Sequence, residues 1–249
     1  MSSTRLAVVT GPTSGIGLAI AEQLAAAGWS IVAIARSAAR LDATGLRFAH
    51  RVICDLSDPA AAATALDGLD LVGVERAVLV NNAGAIEPIG RGADVDPAIF
   101  ARTMALNATT PLLLAGAFLR KLEAAPGCVG AIVQIGSGAA VRPIAGWTAY
   151  CASKAALHHG TRVLAGETDP TRCRIFVLSP GVIETPMQAA IRAADDADMP
   201  DAPAFRAMAA DGQLRSPAVP ARWLCSHLDR WELPHDEVVD LFGWTPDPE

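Results

Sequence analysis

The only tyrosine of this 249-residue chain, Tyr150, stands four residues before Lys154 in "YCASK". On a helix, positions i and i+4 share a face, so a phenol and an ammonium would be neighbours. A phenol titrates near pH ~10, too high for ready proton exchange at neutrality, and a nearby cation favours its ionised form. Bringing it to about pH 7 corresponds to roughly 4 kcal/mol. An exposed charge pair supplies at most about 1 kcal/mol. A partly desolvated site, with a second positive charge beside Lys154, could supply the rest. Tyr150 would then donate and accept protons; the alternative is a packing residue whose hydroxyl found a partner. The other candidate groups are poorer. His158 and His159 are adjacent and point to different faces of one helix, which fits surface or interface positions. His227 and His235 lack partners at metal-ligand spacing, and "DDAD" at 195–198 reads as a solvated face, so no metal is expected. No GxSxG elbow supports acyl transfer.

A second constellation lies near the start. "VVTGPTSGIGLAI" places Gly11, Gly15 and Gly17 after an apolar run and at the opening of a helix. Glycines there let the backbone turn sharply and approach a pyrophosphate, whose charge suits the helix N-terminus. The spacing is GxxxGxG, and a purely structural turn is the alternative. Where a carboxylate closing the second strand would bind the ribose hydroxyls of NAD, this chain reads "VAIARSAAR", with Arg36. A guanidinium there favours the 2′-phosphate of NADP over NAD, unless Arg36 is an ordinary solvated loop residue. Asp55 in "CDLSD" is placed to meet the adenine amino group.

These residues need a frame. Strands are expected at 5–10, 30–35, 48–54, 76–82, 129–137, 174–180 and 236–241, and helices at 17–28, 58–69, 97–124, 147–167 and 217–228. Strands apolar along their whole length suit a parallel sheet covered on both faces. The alternation of strands and helices predicts one α/β domain over 1–249, a doubly wound parallel sheet of Rossmann-like type. One segment breaks the rhythm: residues 185–216, rich in Ala, Met and Asp, follow the sixth strand's carboxyl end. They are expected to form a substrate-binding flap of short helices, or else a plain surface excursion.

Composition narrows the classes. Hydrophobic residues make up 51% and charged residues 18%, enough for a large core, and the net charge of −6 gives no footprint for nucleic acid. Five cysteines without CxxC pairs fit a reduced, cytoplasmic chain. The start is too short in apolar residues for a signal peptide, and the longest apolar run, "PLLLAGAFL", is far short of a membrane span. A soluble protein with no membrane partner is expected.

With "TGPTSGIG" (10–17), "NNAG" (81–84), Asn107, Ser137, "YCASK" (150–154) and "SPGVIET" (179–185) in order, the chain resembles the short-chain dehydrogenase/reductase family over roughly residues 5–190. "GWTAYCASKAAL" and "PGVIETPMQ" look most like the branch containing sepiapterin and benzil reductases. The resemblance implies a catalytic set of Asn107, Ser137, Tyr150 and Lys154. Ser137 would hold the substrate oxygen, Lys154 the nicotinamide ribose, and Asn107 would interrupt its helix and fix a water that relays protons to Lys154. Cofactor contacts would come from Gly11, Thr13, Ser14, Gly15, Ile16, Gly17, Arg36, Asp55, Leu56, Asn82, Ala83, Gly84, Tyr150, Lys154, Pro180, Gly181, Ile183 and Thr185, with Asn81 steadying the central strands. Gln134 and Gly136 depart from the more usual Asn and Ser. The implied activity is NADP(H)-dependent reduction of a small carbonyl compound, hydrophobic or aromatic, to an alcohol. A nucleotide-binding redox sensor and an NAD(H)-dependent alcohol dehydrogenase are the alternatives. The helices at 97–124 and 147–167 would pair across a two-fold axis, giving a homodimer or homotetramer.

Overall fold

The structure, a computed structural model, describes residues 4–244. In chain order it runs β1 (Arg5–Thr10), α1 (Gly15–Ala26), β2 (Ser30–Ala35), α2 (Ala38–Asp42), β3 (His50–Ile53), α3 (Pro59–Ala63) and β4 (Arg76–Asn81). Then come α4 (Pro97–Met104), a π-helical turn (Ala105–Thr109), α5 (Thr110–Glu123), β5 (Val129–Ile135) and a 3₁₀ turn (Gly138–Ala140). It closes with α6 (Thr148–Gly166), β6 (Cys173–Ser179), α7 (Pro186–Arg192), α8 (Ala202–Ala210), α9 (Ala218–Arg230) and β7 (Val238–Asp240). All strands are parallel, in the order β3-β2-β1-β4-β5-β6-β7.

The unbroken apolar strands are explained by two cores. Ala7, Val9, Val78 and Val80 face Ile20 and Leu24 of α1 and Trp223 and Leu228 of α9. Their sequence neighbours Val8 and Leu79 face the other way, onto Leu114, Phe118 and Leu122 of α5. Residues of the central strands are therefore buried whichever way the pleat turns them, while the edge strands β3 and β7 stay largely exposed. Pro97–Glu123, the continuous α4–π–α5 run of 27 residues, is long and apolar enough by composition to cross a membrane. Here Leu114, Phe118 and Leu122 lie buried on the sheet while Ile99 and Leu113 face outward.

Helix starts follow local chemistry. Asp58 and Asp96 each precede a proline and accept two backbone N–H groups of the first turn, and Thr185, ahead of Pro186, caps α7 by accepting from Gln188 N. Two expectations change. The helix expected at 58–69 ends at Ala63, because the chain then tightens to i−3 bonds (Ala65 to Ala62, Asp67 to Thr64, Leu69 to Leu66) that keep Leu66 and Leu69 buried. The third and last strands are shorter than expected, at His50–Ile53 and Val238–Asp240. The 97–124 helix is interrupted at Asn107, as the resemblance implies, by a π turn over Ala105–Thr109.

Residues 185–216 hold α7 and α8, and their ends are tied together: Arg215 N donates to Val182 O at 3.0 Å and Glu184 N to Arg215 O at 2.9 Å. Arg192 forks onto Glu184 at 2.8 and 3.0 Å, and Arg206 pairs with Asp196 of the acidic run. Ile191, Met199 and Ala202 bury against Trp147 and Tyr150. The excursion is thus a packed layer over the carboxyl ends of the strands.

Candidate active site

In a parallel sheet all carboxyl ends lie on one edge, and here the chain reverses direction across the sheet between β1 and β4. A cleft of about 1000 Å³ opens along that edge, from Arg36 and Arg40 at one end to Trp147 and Phe205 at the other.

The glycine turn forms its floor. Gly11 and Gly15 hold φ values of 66° and 55°, which L side chains rarely adopt. A Cβ on Gly17 would lie 2.3 Å from Asn82 Nδ2 and 2.6 Å from Gly11 O, so only glycine permits this approach. Asn82 Nδ2 donates to Thr10 O and Gly11 O at 3.0 and 3.3 Å, while Thr10 Oγ1 accepts from the N–H groups of Asn82 and Ala83 at 2.9 and 3.0 Å. "NNAG" therefore clasps the turn to β4. Ser14, at the N-cap of α1, makes no side-chain cap, so the first-turn N–H groups remain available to an anion. At the cleft's end no carboxylate closes β2, and Arg36 and Arg40 are both exposed in the wall. The glycine cradle and the uncapped helix start fit the pyrophosphate of a dinucleotide.

The opposite wall comes from β5 and α6. Ser137 stands just past β5, and its Oγ accepts from Ala139 N at 3.1 Å. Tyr150 and Lys154 lie one turn apart on α6, both buried, at 8% and 5% exposure. Lys154 Nζ donates to Ile135 O at 2.8 Å and lies 5.8 Å from the Tyr150 ring centre. Burial pushes the phenol above its ordinary value, with a hydrogen bond to Ser137 acting against it. Burial also drives the Lys154 ammonium down to about 8. Within the protein alone, then, desolvation outweighs the acidification expected from the spacing; spacing says which groups meet but not how much water they lose.

Asn107 lies behind this wall, 1% exposed. Its Oδ1 accepts from Ala85 N at 2.9 Å, and Nδ2 donates to Ala85 O at 2.7 Å and Ser153 Oγ at 3.1 Å. It braces the strand leaving β4 against the helix residue preceding Lys154. Asn81 donates to Pro111 O at 3.0 Å from within the sheet.

Of the remaining expected residues, Thr13, Ser14, Gly15, Ile16, Leu56, Ala83, Gly84, Pro180, Gly181, Ile183 and Thr185 line the cleft, and Gly17 packs directly beneath. Asp55 itself is not in the cleft wall, although Cys54 and Leu56 on either side of it are; its Oδ1 accepts from Ser57 N and Oγ at 3.0 and 2.8 Å, and its Oδ2 faces Arg102 at 3.7 Å. Those Ser57 bonds, with Arg36 and Arg102 nearby, hold it below the usual carboxylate range. His158 also departs from expectation: His159 is exposed as anticipated, but His158 is buried beneath Ser137. Adjacent helix positions do point apart, and the inward one faces β5. Gln188, Phe205 and Met208 line the cleft from within the segment expected as a substrate flap, whereas Arg40 and Phe242 in the cleft wall were missed by sequence reading. Arg40 was legible as a second cation four residues after Arg36; Phe242 is brought in by the C-terminal segment. Phe205 stacks on Trp147 at 5.4 Å and 29°, and Trp147 meets Tyr150 edge-on at 5.4 Å.

A family model described as short chain dehydrogenase matches residues 5–196. Benzil reductase ((S)-benzoin forming) of Bacillus subtilis (strain 168) is 34% identical over 231 residues, covering 90% of this chain and 93% of that one. Sepiapterin reductase of Meriones unguiculatus is 34% identical over 199 residues, covering 73% of this chain and 75% of its own. Among solved structures, L-sorbose reductase from Gluconobacter frateurii, complexed with NADPH and L-sorbose, matches with a TM-score of 0.80 at 25% identity, over 99% of this chain and 98% of that one.

Proposed function

This chain belongs to the short-chain dehydrogenase family, an oxidoreductase family, and on that premise we propose that it is an NADP(H)-dependent reductase of hydrophobic or aromatic carbonyl compounds. The observation that carries the reading is the convergence of Ser137, Tyr150 and Lys154 on one wall of a cleft whose floor is the glycine turn.

The dinucleotide would lie along Gly11, Thr13–Ile16, Asn82–Gly84, Pro180, Gly181, Ile183 and Thr185, with Arg36 and Arg40 on the 2′-phosphate. When bound, the reduced nicotinamide supplies a hydride to the carbonyl carbon. Ser137 and Tyr150 take the substrate oxygen between their hydroxyls. Their hydrogen bonds strengthen as charge grows on that oxygen, which lowers the barrier rather than merely tightening binding. Tyr150 gives its proton to the oxygen, and burial that holds the phenol protonated suits it as the acid in this direction. Lys154 holds the ribose beside Tyr150. Asn107 keeps Ala85 and Ser153 in place around them.

The substrate end is apolar: Ile86, Ile144, Met187, Ile191 and Met208 surround the Trp147–Phe205 stack. Such a surface favours an aromatic partner, and the name benzil reductase of the Bacillus relative supports a diketone flanked by rings. Purified protein should bind NADPH in a fluorescence titration and consume it with a panel of diketones, quinones and aromatic aldehydes. Tyr150→Phe should keep binding and lose turnover. A folded protein that binds no nicotinamide cofactor refutes the reading; undiminished turnover in Tyr150→Phe moves the chemistry elsewhere.

A further inference from the structure

We propose that His158 is a positioning residue for this reaction, a neutral imidazole whose Nε2 accepts a hydrogen bond from the Ser137 amide and so fixes the serine from behind. The inference rests on the reading of Ser137 as donor to the substrate oxygen.

Tyr150, Lys154 and His158 succeed one another at i, i+4 and i+8 along α6, forming one ladder aimed at the carboxyl end of β5. The first two rungs face the cleft, and the third lies buried under its wall. Ser137 N reaches His158 Nε2 at 3.5 Å, a long contact that still points one donor at one ring nitrogen. The strand end leaves room for this ring only because residue 136 is glycine. A Cβ there would sit 2.5 Å from His158 Nε2, 2.4 Å from Val177 Cγ1 and 3.1 Å from Ser179 Oγ. The departure from the usual serine at 136 and the presence of an imidazole at 158 are two sides of one packing solution.

The contact dictates the ring's state. A nitrogen that accepts from an amide carries no proton, so the proton sits on Nδ1. Burial and the neighbouring Lys154 hold the imidazole's pKa down to about 4, which preserves the acceptor across neutral pH. Ser137 begins the 3₁₀ turn in extended conformation, with φ −165° and ψ 149°; its Oγ accepts from Ala139 N at 3.1 Å and its carbonyl from Ala140 N at 3.0 Å, so His158 supplies the partner of its own N–H. Removing the acceptor frees the backbone that aims the hydroxyl.

Steady-state kinetics with NADPH and the best carbonyl substrate of the panel test this on Ser137→Ala, His158→Leu and His158→Gln. Ser137→Ala should lose turnover. His158→Leu should keep NADPH affinity and lower kcat about tenfold to a hundredfold, the cost of a group misplaced by about 1 Å. His158→Gln, whose carboxamide oxygen can replace the acceptor, should recover most of that loss. A leucine variant as fast as wild type, or a glutamine variant no better than leucine, overturns the proposal while an inactive Ser137→Ala leaves the carbonyl-reductase reading standing. An active Ser137→Ala overturns both. Wild-type protein supplies a measurement independent of how the variants fold: a long-range proton–nitrogen NMR spectrum near neutrality should show His158 as the Nδ1–H tautomer. An Nε2–H tautomer or an imidazolium overturns the proposal.

Discussion

Replacing Lys154 with methionine should stabilise the protein while abolishing its turnover. The side chain is 5% exposed, and burial brings its pKa from 10.5 to about 8. Below about pH 8 the ammonium is charged in both folded and unfolded chains, and holding it in the fold costs about 3 kcal/mol. Methionine keeps the apolar stem and removes that cost. It also leaves Ile135 O without its donor, a loss of about 1 kcal/mol. The net gain of about 2 kcal/mol corresponds to a rise in Tm of roughly 4–8 °C for a chain of this size. Between about 8 and 10.5 the unfolded chain binds more protons than the folded one, so wild-type stability gains with rising pH as Lys154 discharges. The advantage of Lys154→Met should therefore shrink through that window and reverse above it, where only the lost hydrogen bond remains. Thermal melts of cofactor-free wild type and variant, at about pH 7 and at about pH 10.5, read the difference directly. A variant destabilised equally at both pH values would show that Lys154 bears no desolvation cost.

Two further outcomes follow from the cofactor half. Gly17→Ala should destabilise the fold and weaken NADPH binding at least about tenfold, although glycine to alanine inside a helix ordinarily gains about 1 kcal/mol; the new Cβ meets Asn82 Nδ2 at 2.3 Å. Normal binding by calorimetry would show that the turn can give way. Arg36→Asp should shift the ratio of kcat/KM values from NADPH toward NADH, since a carboxylate repels a 2′-phosphate and accepts from ribose hydroxyls. An unchanged ratio would leave Arg40 as the discriminating cation.

Much of this was visible in the letters because it depends on short-range rules. Continuous apolar strands announced a sheet covered on both faces, and all seven were found in parallel order. The helices expected from 58 and from 97 begin at Pro59 and Pro97, behind the capping Asp58 and Asp96. The i, i+4 spacing put Tyr150 and Lys154 on one face, and "TGPTSGIG" lay where a turn must approach a phosphate.

What escaped was set by contacts between distant segments. Asp55 was expected at the adenine; what spacing could not show is the turn in which its Oδ1 takes the N–H and hydroxyl of Ser57 while Oδ2 faces Arg102. His158 looked like half of a surface pair, but which face of α6 turns toward β5 is decided only when helix and strand pack, and Gly136 makes the space. Phe205 comes 58 positions after Trp147 in the chain and meets it because Arg215 pins the end of the excursion beside Val182. Protonation is the plainest case. Residue types and spacing name the phenol and the amine that must meet, whereas the energies of their charged forms depend on how much water the assembled fold removes from each, and desolvation is a property of the whole packed wall.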